Sequence, residues 1–342
     1  MRHIRVAGPW LDDLAVGQVL TDAPAVTVTP AHAVAYQAIT GDRLRLALDG
    51  ELSRRVTGRT ETLVNPMLVV NLAIGQSTGF TQRVRANLFY RQLVMLHPVF
   101  VGDTLTTSTE VVAIKENRSQ PDKPPTGLAV LRIRTQNQHG ERVLDFHRCP
   151  MLPLSDEAAR TGRSDPLDAV PAEIDPAAVA AAVPLHWQLD VHVGATPGPR
   201  CSDLQPGDVF ELEPADVVIG AVELAHMTLN VAAAHYDSTA GPYGRRLVYG
   251  GHTIGLAAAQ VGRVLPGMGP VLAWRRCDHV GPVFEGDELV STVTVGAVHP
   301  VRDGAGLVEL RVATAARGQT GPGEAEGEAD RPVLDWELIA LI

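Results

Sequence analysis

Val99-Phe-Val-Gly-Asp-Thr-Leu105 and Val283-Phe-Glu-Gly-Asp-Glu-Leu289 are the two stretches that decide the fold of this 342-residue chain. In both, a Gly-Asp pair separates two apolar residues from a β-rich run, which is typical of a turn that leads into a strand. Similar segments that recur at a long separation indicate an internal duplication.

Three further pairs of segments support a duplication. They are Asp13-Leu-Ala-Val-Gly-Gln with Asp203-Leu-Gln-Pro-Gly-Asp, the segments 40–49 and 228–237, and Val143-Leu-Asp-Phe146 with Val333-Leu-Asp-Trp336. In chain order, the four pairs are separated by 190, 188, 184 and 190 residues. We therefore predict two tandem copies, residues 1–154 and 201–342, joined by a linker over residues 155–200.

Each copy combines one apolar helix with several strands. The helices are predicted at Pro66 to Ser77 and Gly251 to Val264, and helices that are apolar on nearly all sides are buried. Alternating β-rich runs follow each helix, namely 104–114 and 128–135 in the first copy and 288–295 and 307–313 in the second. A buried helix followed by a meander of strands predicts an α+β fold with the sheet wrapped round the helix.

Two segments lack this pattern. The linker is rich in Ala, Pro and Asp and is expected to run over the surface, with one short helix from Pro176 to Val183 capped by Asp175. Ala316 to Pro332 is dominated by Gly and Glu and is expected to be a flexible insertion.

Composition narrows the class of protein. An apolar fraction of 45% with 20% charged residues predicts a globular protein with a sizeable core. The net charge of -10 disfavours binding to nucleic acid or an anionic membrane. Cys149, Cys201 and Cys277 lack metal-ligand spacing and are expected to be reduced thiols. With no signal-like or membrane-spanning apolar run, a cytoplasmic protein is expected.

The paired segments 40–49 and 228–237 resemble the pattern Thr-Gly-Asp-x-Asn-Pro-x-His-x-Asp of the (R)-specific enoyl-CoA hydratases. These hydratases are a branch of the MaoC-like hotdog family. In the first copy the residues on the pattern are Thr40, Gly41, Asp42 and Asp49, and Ala47 replaces the histidine. In the second copy they are Thr228, His235 and Asp237, and Asn230 replaces the aspartate. A double hotdog branch of this family also contains a string similar to Arg245-Arg-Leu-Val-Tyr-Gly-Gly-His252.

The resemblance implies a double hotdog hydro-lyase that interconverts a trans-2-enoyl-CoA and a 3-hydroxyacyl-CoA. His235 would transfer protons to and from water, and Asn230 would orient that water. Gly251, at the start of the second apolar helix, would stabilise the negative charge on the thioester oxygen. The matching position in the first copy is Pro66, which has no N–H to donate, so the first site is expected to be disabled.

Further residues are candidates for substrate binding. Arg245 and Arg246 would contact the phosphates of coenzyme A or form an ordinary solvated pair. Tyr249, Gly250 and Asp237 would line the pocket or orient His235. No metal or redox cofactor is expected, because neither a dinucleotide fingerprint nor a metal motif is present. The acyl-CoA would be the only partner, and both a monomer and a homodimer are compatible with a chain that contains its own pseudo-dimer.

Two alternatives stay open at this stage. A non-catalytic acyl-CoA binding protein is possible because both copies depart from the motif. A hotdog thioesterase would use Asp42, although a turn or capping role suits that residue better.

Overall fold

The computed structural model describes residues 2–4, 6–118, 123–167, 170, 173–241, 243–317 and 329–342. Its strands are β1 Val19–Leu20, β2 Val26–Thr27, β3 Ala86–Met95, β4 Thr104–Glu116, β5 Thr126–Gln136, β6 Arg142–Pro153, β7 Val209–Glu211, β8 Asp216–Val217, β9 Val271–His279, β10 Glu288–Arg302, β11 Ala305–Ala316 and β12 Arg331–Leu341. Its α-helices are α1 Pro30–Thr40, α2 Arg45–Leu48, α3 Gly50–Thr57, α4 Pro66–Gln76, α5 Pro176–Ala182, α6 Leu189–Ala195, α7 Ala221–Met227 and α8 Gly250–Val264.

One antiparallel sheet runs through both copies. Its order is β1-β4-β5-β6-β3-β9-β12-β11-β10-β7, and the short strands β2 and β8 pair with β4 and β10. Read from the two ends of the sheet, the orders β1-β4-β5-β6-β3 and β7-β10-β11-β12-β9 contain equivalent strands of the two copies. Strands β3 and β9 pair with each other and join the two halves, with Tyr90 opposite Cys277. The architecture is the α+β double hotdog that the sequence predicts.

The two apolar helices, α4 and α8, lie at the centre of the fold. Every residue of α4 is buried, and so are Gly251–Val261 of α8. Gln76 and Gln260 hold them to the sheet in the same way, since each donates from Nε2 to a strand carbonyl, that of Leu105 or Leu289. No helix within the described ranges is long and apolar enough to cross a membrane.

The linker departs from its predicted surface course. Helix α5 is capped by Asp175, which accepts from the Ala177 N–H as expected, but α6 was not predicted. Val183 and Trp187 are buried in an apolar cluster that includes Val56 of the first copy and Leu307 and Leu341 of the second, because their side chains fill a space between the helices and the sheet. The expected insertion lies mostly outside the described residues, as 318–328 are not described, and its ends belong to β11 and β12.

Candidate active site

A cavity of about 230 Å³ lies between the two copies. The residues that the second copy contributes to its lining include Asn230, His235, Tyr249, Gly250 and His279. The first copy contributes Thr78, Thr81, Tyr90 and Arg148 to the lining. Both copies are therefore needed to enclose this one site.

His235 is the last residue of a single 3-10 turn, Ala233–His235. Its Nδ1 lies 2.9 Å from the carbonyl oxygen of Leu247. A carbonyl can only accept, so Nδ1 carries the proton and Nε2 keeps a free lone pair. Burial, together with the charge of Arg148, lowers the pKa of His235 to about 4. The imidazole is therefore neutral near pH 7, which is the form that accepts a proton.

Asn230 lies in the same cavity and is 3% exposed. Its Oδ1 accepts from the Ala232 N–H at 2.9 Å, which assigns the other amide atom as the nitrogen. The Nδ2 group has no hydrogen bond to another described residue, so Asn230 presents a donor to the cavity. The residue before it, Leu229, has a φ of 60°, which is costly for a bulky side chain. Gly41 takes this conformation in the first copy, with a φ of 68°.

The first turn of α8 forms another wall of the cavity. Gly250 lines it, and a Cβ atom at this position would lie 2.6 Å from Nε2 of His279. Gly251 does not line the cavity, because its α-carbon faces Tyr249 and Asn71. N–H groups in the first turn of a helix have no partner within the helix and carry a partial positive charge. They can therefore stabilise an anionic oxygen.

His279 is a second imidazole in the cavity. It ends strand β9, its ring meets that of Tyr90 edge-on at 5.8 Å, and Nε2 has no hydrogen-bond partner among the described residues. Burial and the neighbouring His235 lower the pKa of His279 to about 4. A neutral imidazole N–H beside the helix terminus is a potential second donor to an anionic oxygen.

Of the other predicted residues, only Tyr249 is among those that line the cavity. Tyr249 is buried and lines the cavity, and its ring contacts that of His235 at 5.6 Å. Arg245 and Arg246 are exposed and do not line the cavity, and Arg245 lies over the ring of Phe284 instead. Asp237 is also exposed, and its Oδ1 accepts from the N–H and hydroxyl of Thr239 in a local turn.

Asp42 lies buried in the first copy, outside the cavity. Its Oδ1 accepts from the Leu44 N–H at 2.8 Å, which is the turn role that the sequence favoured. Burial raises the pKa of Asp42. The structure thus places this carboxyl within a turn.

The equivalent cavity in the first copy is nearly filled. About 30 Å³ remains there, next to Leu63, Pro66 and Met95. Because α4 begins at Pro66 and α8 at Gly250, Pro66 matches Gly250 and not Gly251, and Leu63 and Met95 likewise match Leu247 and His279. The linker side chains Val183 and Trp187 close it from one side. This is the physical reason that the first copy has no accessible site of its own.

Arg148, His279, Thr78 and Thr81 were not identified from the sequence. They lie on strands and turns far from the motif, and no local spacing marks them. Of these residues, only Arg148 could in principle have been identified, because a buried arginine in an otherwise alternating strand is an unusual feature.

The fold and the shared cavity together define a MaoC-like double hotdog protein, and the chain belongs to that family. A solved structure from Mycobacterium tuberculosis, of a conserved hypothetical protein described as essential for survival during infection and as a double hotdog, is 45% identical, covers 99% of both chains and has a TM-score of 0.88. A MaoC domain protein from Chloroflexus aurantiacus has the same fold at 22% identity and a TM-score of 0.84, covering 98% of this chain and 97% of that one.

One curated relative of this chain has a named activity. Mesaconyl-CoA hydratase of Cereibacter sphaeroides is 29% identical over 354 residues, which cover 98% of each chain. No family model matches the chain. The comparisons therefore agree with the family that the motifs indicated.

Proposed function

We propose that this protein is an acyl-CoA hydratase/dehydratase that adds water to a trans-2-enoyl-CoA, or removes it, in the cavity between the two copies. The curated relative aligns with nearly the whole chain and is named a CoA hydratase, and this name supports the reaction class. The observation that carries the proposal is that His235, Asn230 and the start of α8 line one cavity.

In the hydration direction, His235 removes the proton. Its free Nε2 accepts a proton from water as the water oxygen attacks C3 of the enoyl group. Asn230 orients that water by donating from Nδ2 to the water oxygen, because its Oδ1 is already used by Ala232. The imidazolium then returns the proton to C2, so the ring ends neutral and one water has been added.

The charge that develops on the thioester oxygen is stabilised at the start of α8. The Gly250 N–H lies at the positive end of the helix, and the absence of a side chain there lets a ligand approach the backbone. His279 is placed to donate a second hydrogen bond, since its ring lies against Gly250. Such preorganised donors are often the largest single contribution to catalysis.

The direct test is a spectrophotometric assay with purified protein. Absorbance of the enoyl-thioester band is followed after addition of short trans-2-enoyl-CoA substrates, and the product is identified by mass spectrometry. We expect loss of the band and a mass gain of one water. Binding of the acyl-CoA in native mass spectrometry without turnover would support the non-catalytic alternative instead, and release of free CoA would support a thioesterase.

A further inference from the structure

The catalytic segment of the second copy, residues 230–235, is held by the first copy. The Val231 N–H donates to Oγ1 of Thr78 at 3.0 Å, and the Ala233 N–H donates to the carbonyl oxygen of Gln82 at 3.0 Å. Thr78 and Gln82 both come just after helix α4. The backbone between the two proposed catalytic side chains is thus attached to the other copy at two points.

The hydroxyl of Thr78 has a fixed orientation. Thr78 is 2% exposed, and its Oγ1 donates its one hydrogen to the carbonyl of Gly75 at 2.6 Å. The lone pairs of Oγ1 therefore remain to accept, and one of them accepts from Val231. The hydroxyl thus links the end of α4 to the catalytic segment.

Arg148 fixes the residues around Thr78 to the sheet. This arginine lies on β6 and is 3% exposed. Its Nη2 donates to the carbonyl of Ser77 at 2.8 Å and to Oγ1 of Thr81 at 2.9 Å. Thr78 therefore lies between two residues that are anchored to a strand, and this anchoring keeps its hydroxyl in place.

Helix α4 also approaches the start of the catalytic segment closely at Gly75. A Cβ atom at this position would overlap the carbonyl oxygen of Thr228. Counted from the first residues of the two helices, Ala259 occupies the matching position of α8. Because Ala259 carries a Cβ, the carbonyl of Thr40 cannot approach α8 in the same way. The close contact is therefore made to the second copy's segment and not to its equivalent in the first copy.

The hydrogen bond from Thr78 also has no equivalent in the other direction. Gly262 of α8 occupies the place of Thr78 and has no hydroxyl to offer. A Cβ atom at Gly262 would meet Arg43, the equivalent of Val231, at 3.9 Å. The two positions thus face each other as Thr78 and Val231 do, but without the side chain that would join them. The two copies differ here as they do in their sites.

We propose that Thr78 is a positioning residue for the hydration reaction, and that its hydroxyl holds the catalytic segment so that Asn230 and His235 act on one water. The inference rests on the proposed function and adds a residue of the first copy to it. Thr78 acts through the backbone of Val231 and not on the reacting atoms. A misplacement of about 1 Å caused by a change away from the chemistry can cost about 10²-fold in rate, so one hydroxyl is sufficient for such an effect.

The test replaces the hydroxyl and keeps the shape of the side chain. Thr78→Val should lower kcat by roughly 10- to 100-fold with little change in KM, because the cavity keeps its lining while the catalytic groups lose their alignment. Thr78→Ser restores the hydroxyl and should keep most of the wild-type kcat. Thr78→Ala removes the hydroxyl with less crowding and provides the same comparison if the valine variant does not fold.

Thr57→Val is the matched control. Thr57 is 1% exposed, and its Oγ1 donates to the Ser53 carbonyl at 2.8 Å and accepts from the Arg59 N–H at 3.2 Å. These bonds are of the same kind, but Thr57 does not line the cavity. This variant should lower the melting temperature and keep the wild-type kcat.

Hydrogen–deuterium exchange gives a readout that does not depend on turnover. Amides of residues 228–237 should exchange roughly 10-fold faster in Thr78→Val, the effect of losing one hydrogen bond, and at the wild-type rate in Thr57→Val. Unchanged exchange or wild-type kcat in Thr78→Val, or an equal loss of kcat in Thr78→Ser, would overturn the proposal. Faster exchange in Thr78→Val, with no hydration of any enoyl-CoA by the wild-type protein, would support the hold on the segment and count against the proposed function alone.

Discussion

Asn230 and Asp42 make the same hydrogen bond at equivalent positions of the two copies: Oδ1 of each accepts from the N–H two residues later, that of Ala232 at 2.9 Å and of Leu44 at 2.8 Å. The turns are therefore alike, and only the remaining side-chain atom differs. It is an amide donor in Asn230 and a carboxylate oxygen in Asp42. In the proposed mechanism, the second copy uses that one atom and the histidine five residues later.

Replacing His235 tests which copy carries the reaction. His235→Ala should reduce kcat by roughly 10²- to 10⁴-fold, the usual effect of losing a general base. Asp42→Ala should keep most of the activity and lower the melting temperature, because a turn hydrogen bond is lost. Enoyl-CoA hydration and thermal unfolding are measured on both variants. An essential Asp42 with a dispensable His235 would favour the thioesterase alternative.

Asn230→Asp should change the pH dependence of the reaction. A carboxylate near the imidazole favours its charged form and raises the pKa of His235 above about 4. Because the neutral ring is the base, the acidic limb of the kcat/KM profile should move to higher pH by about one unit. The profile is recorded between pH 4 and pH 9, with wild-type protein measured in the same buffers.

Asn230→Leu should instead lose activity, because no side-chain group remains to orient the water. Its circular dichroism spectrum and melting curve separate this effect from a loss of fold. Wild-type turnover in this variant would show that Asn230 has no part in the mechanism.

Gly250→Ala should impair catalysis through contact with His279. The new Cβ would lie 2.6 Å from Nε2, so the ring must move away from the helix start. We expect kcat to fall on the order of 10²-fold, as when an oxyanion-hole donor is lost. Gly262→Ala in the same helix is the control, since its Cβ meets nothing closer than 3.9 Å. That variant should keep its activity and gain about 0.5–1 kcal/mol of stability.

Trp187→Ala should destabilise the protein without affecting the reaction. Truncating a buried tryptophan enlarges the remnant cavity of the first copy and is expected to cost about 3–5 kcal/mol in the free energy of unfolding. Leu185→Ala, two residues earlier, removes a side chain that is 88% exposed and should change stability by less than about 0.5 kcal/mol. Urea unfolding of both variants gives the comparison, and similar stabilities would show that the linker does not fill a cavity.

Acid should destabilise the protein through its buried histidines. His252 is fully buried and has no hydrogen-bond partner among the residues that the structure describes, and burial lowers its pKa from 6.5 to about 4. The unfolded chain therefore binds a proton that the folded chain does not between these two pH values. The contribution of neutral His252 to the free energy of unfolding is fully present above pH 6.5 and is lost as the pH falls towards 4. This loss amounts to about 3 kcal/mol.

His252→Leu removes this proton linkage. The free energy of unfolding should then depend less on pH between pH 4 and pH 6.5, as measured by urea titration at several pH values. His186→Leu, at an exposed position, serves as the control and should keep the wild-type slope. Equal slopes in wild type and His252→Leu would contradict the assignment.

Much of the fold could be predicted because its signals are local. The apolar helices began within a residue of the predicted starts at Pro66 and Gly251, since proline and glycine mark the first turns. The course of the linker could not be predicted, because Val183 and Trp187 are isolated apolar residues among alanines and prolines. Their burial depends on a space that only the assembled sheet and helices create.

Only those residues of the candidate site that lie within the motif could be predicted from the sequence. His235 and Asn230 are five residues apart within one short segment, so the pattern identifies both. Arg148 and His279 come from β6 and β9, and they meet the motif only because β3 and β9 pair across the two copies. Such a meeting depends on tertiary structure, and no spacing in the sequence encodes it.

The placement of Arg148, Thr78 and Thr81 on the first copy has a consequence for how the two halves can change over generations. A duplicate whose own site is filled would ordinarily be free to accumulate substitutions. Here its residues form one wall of the other copy's cavity, so selection on the reaction acts on both halves. The two halves have ceased to be interchangeable, and neither can be discarded.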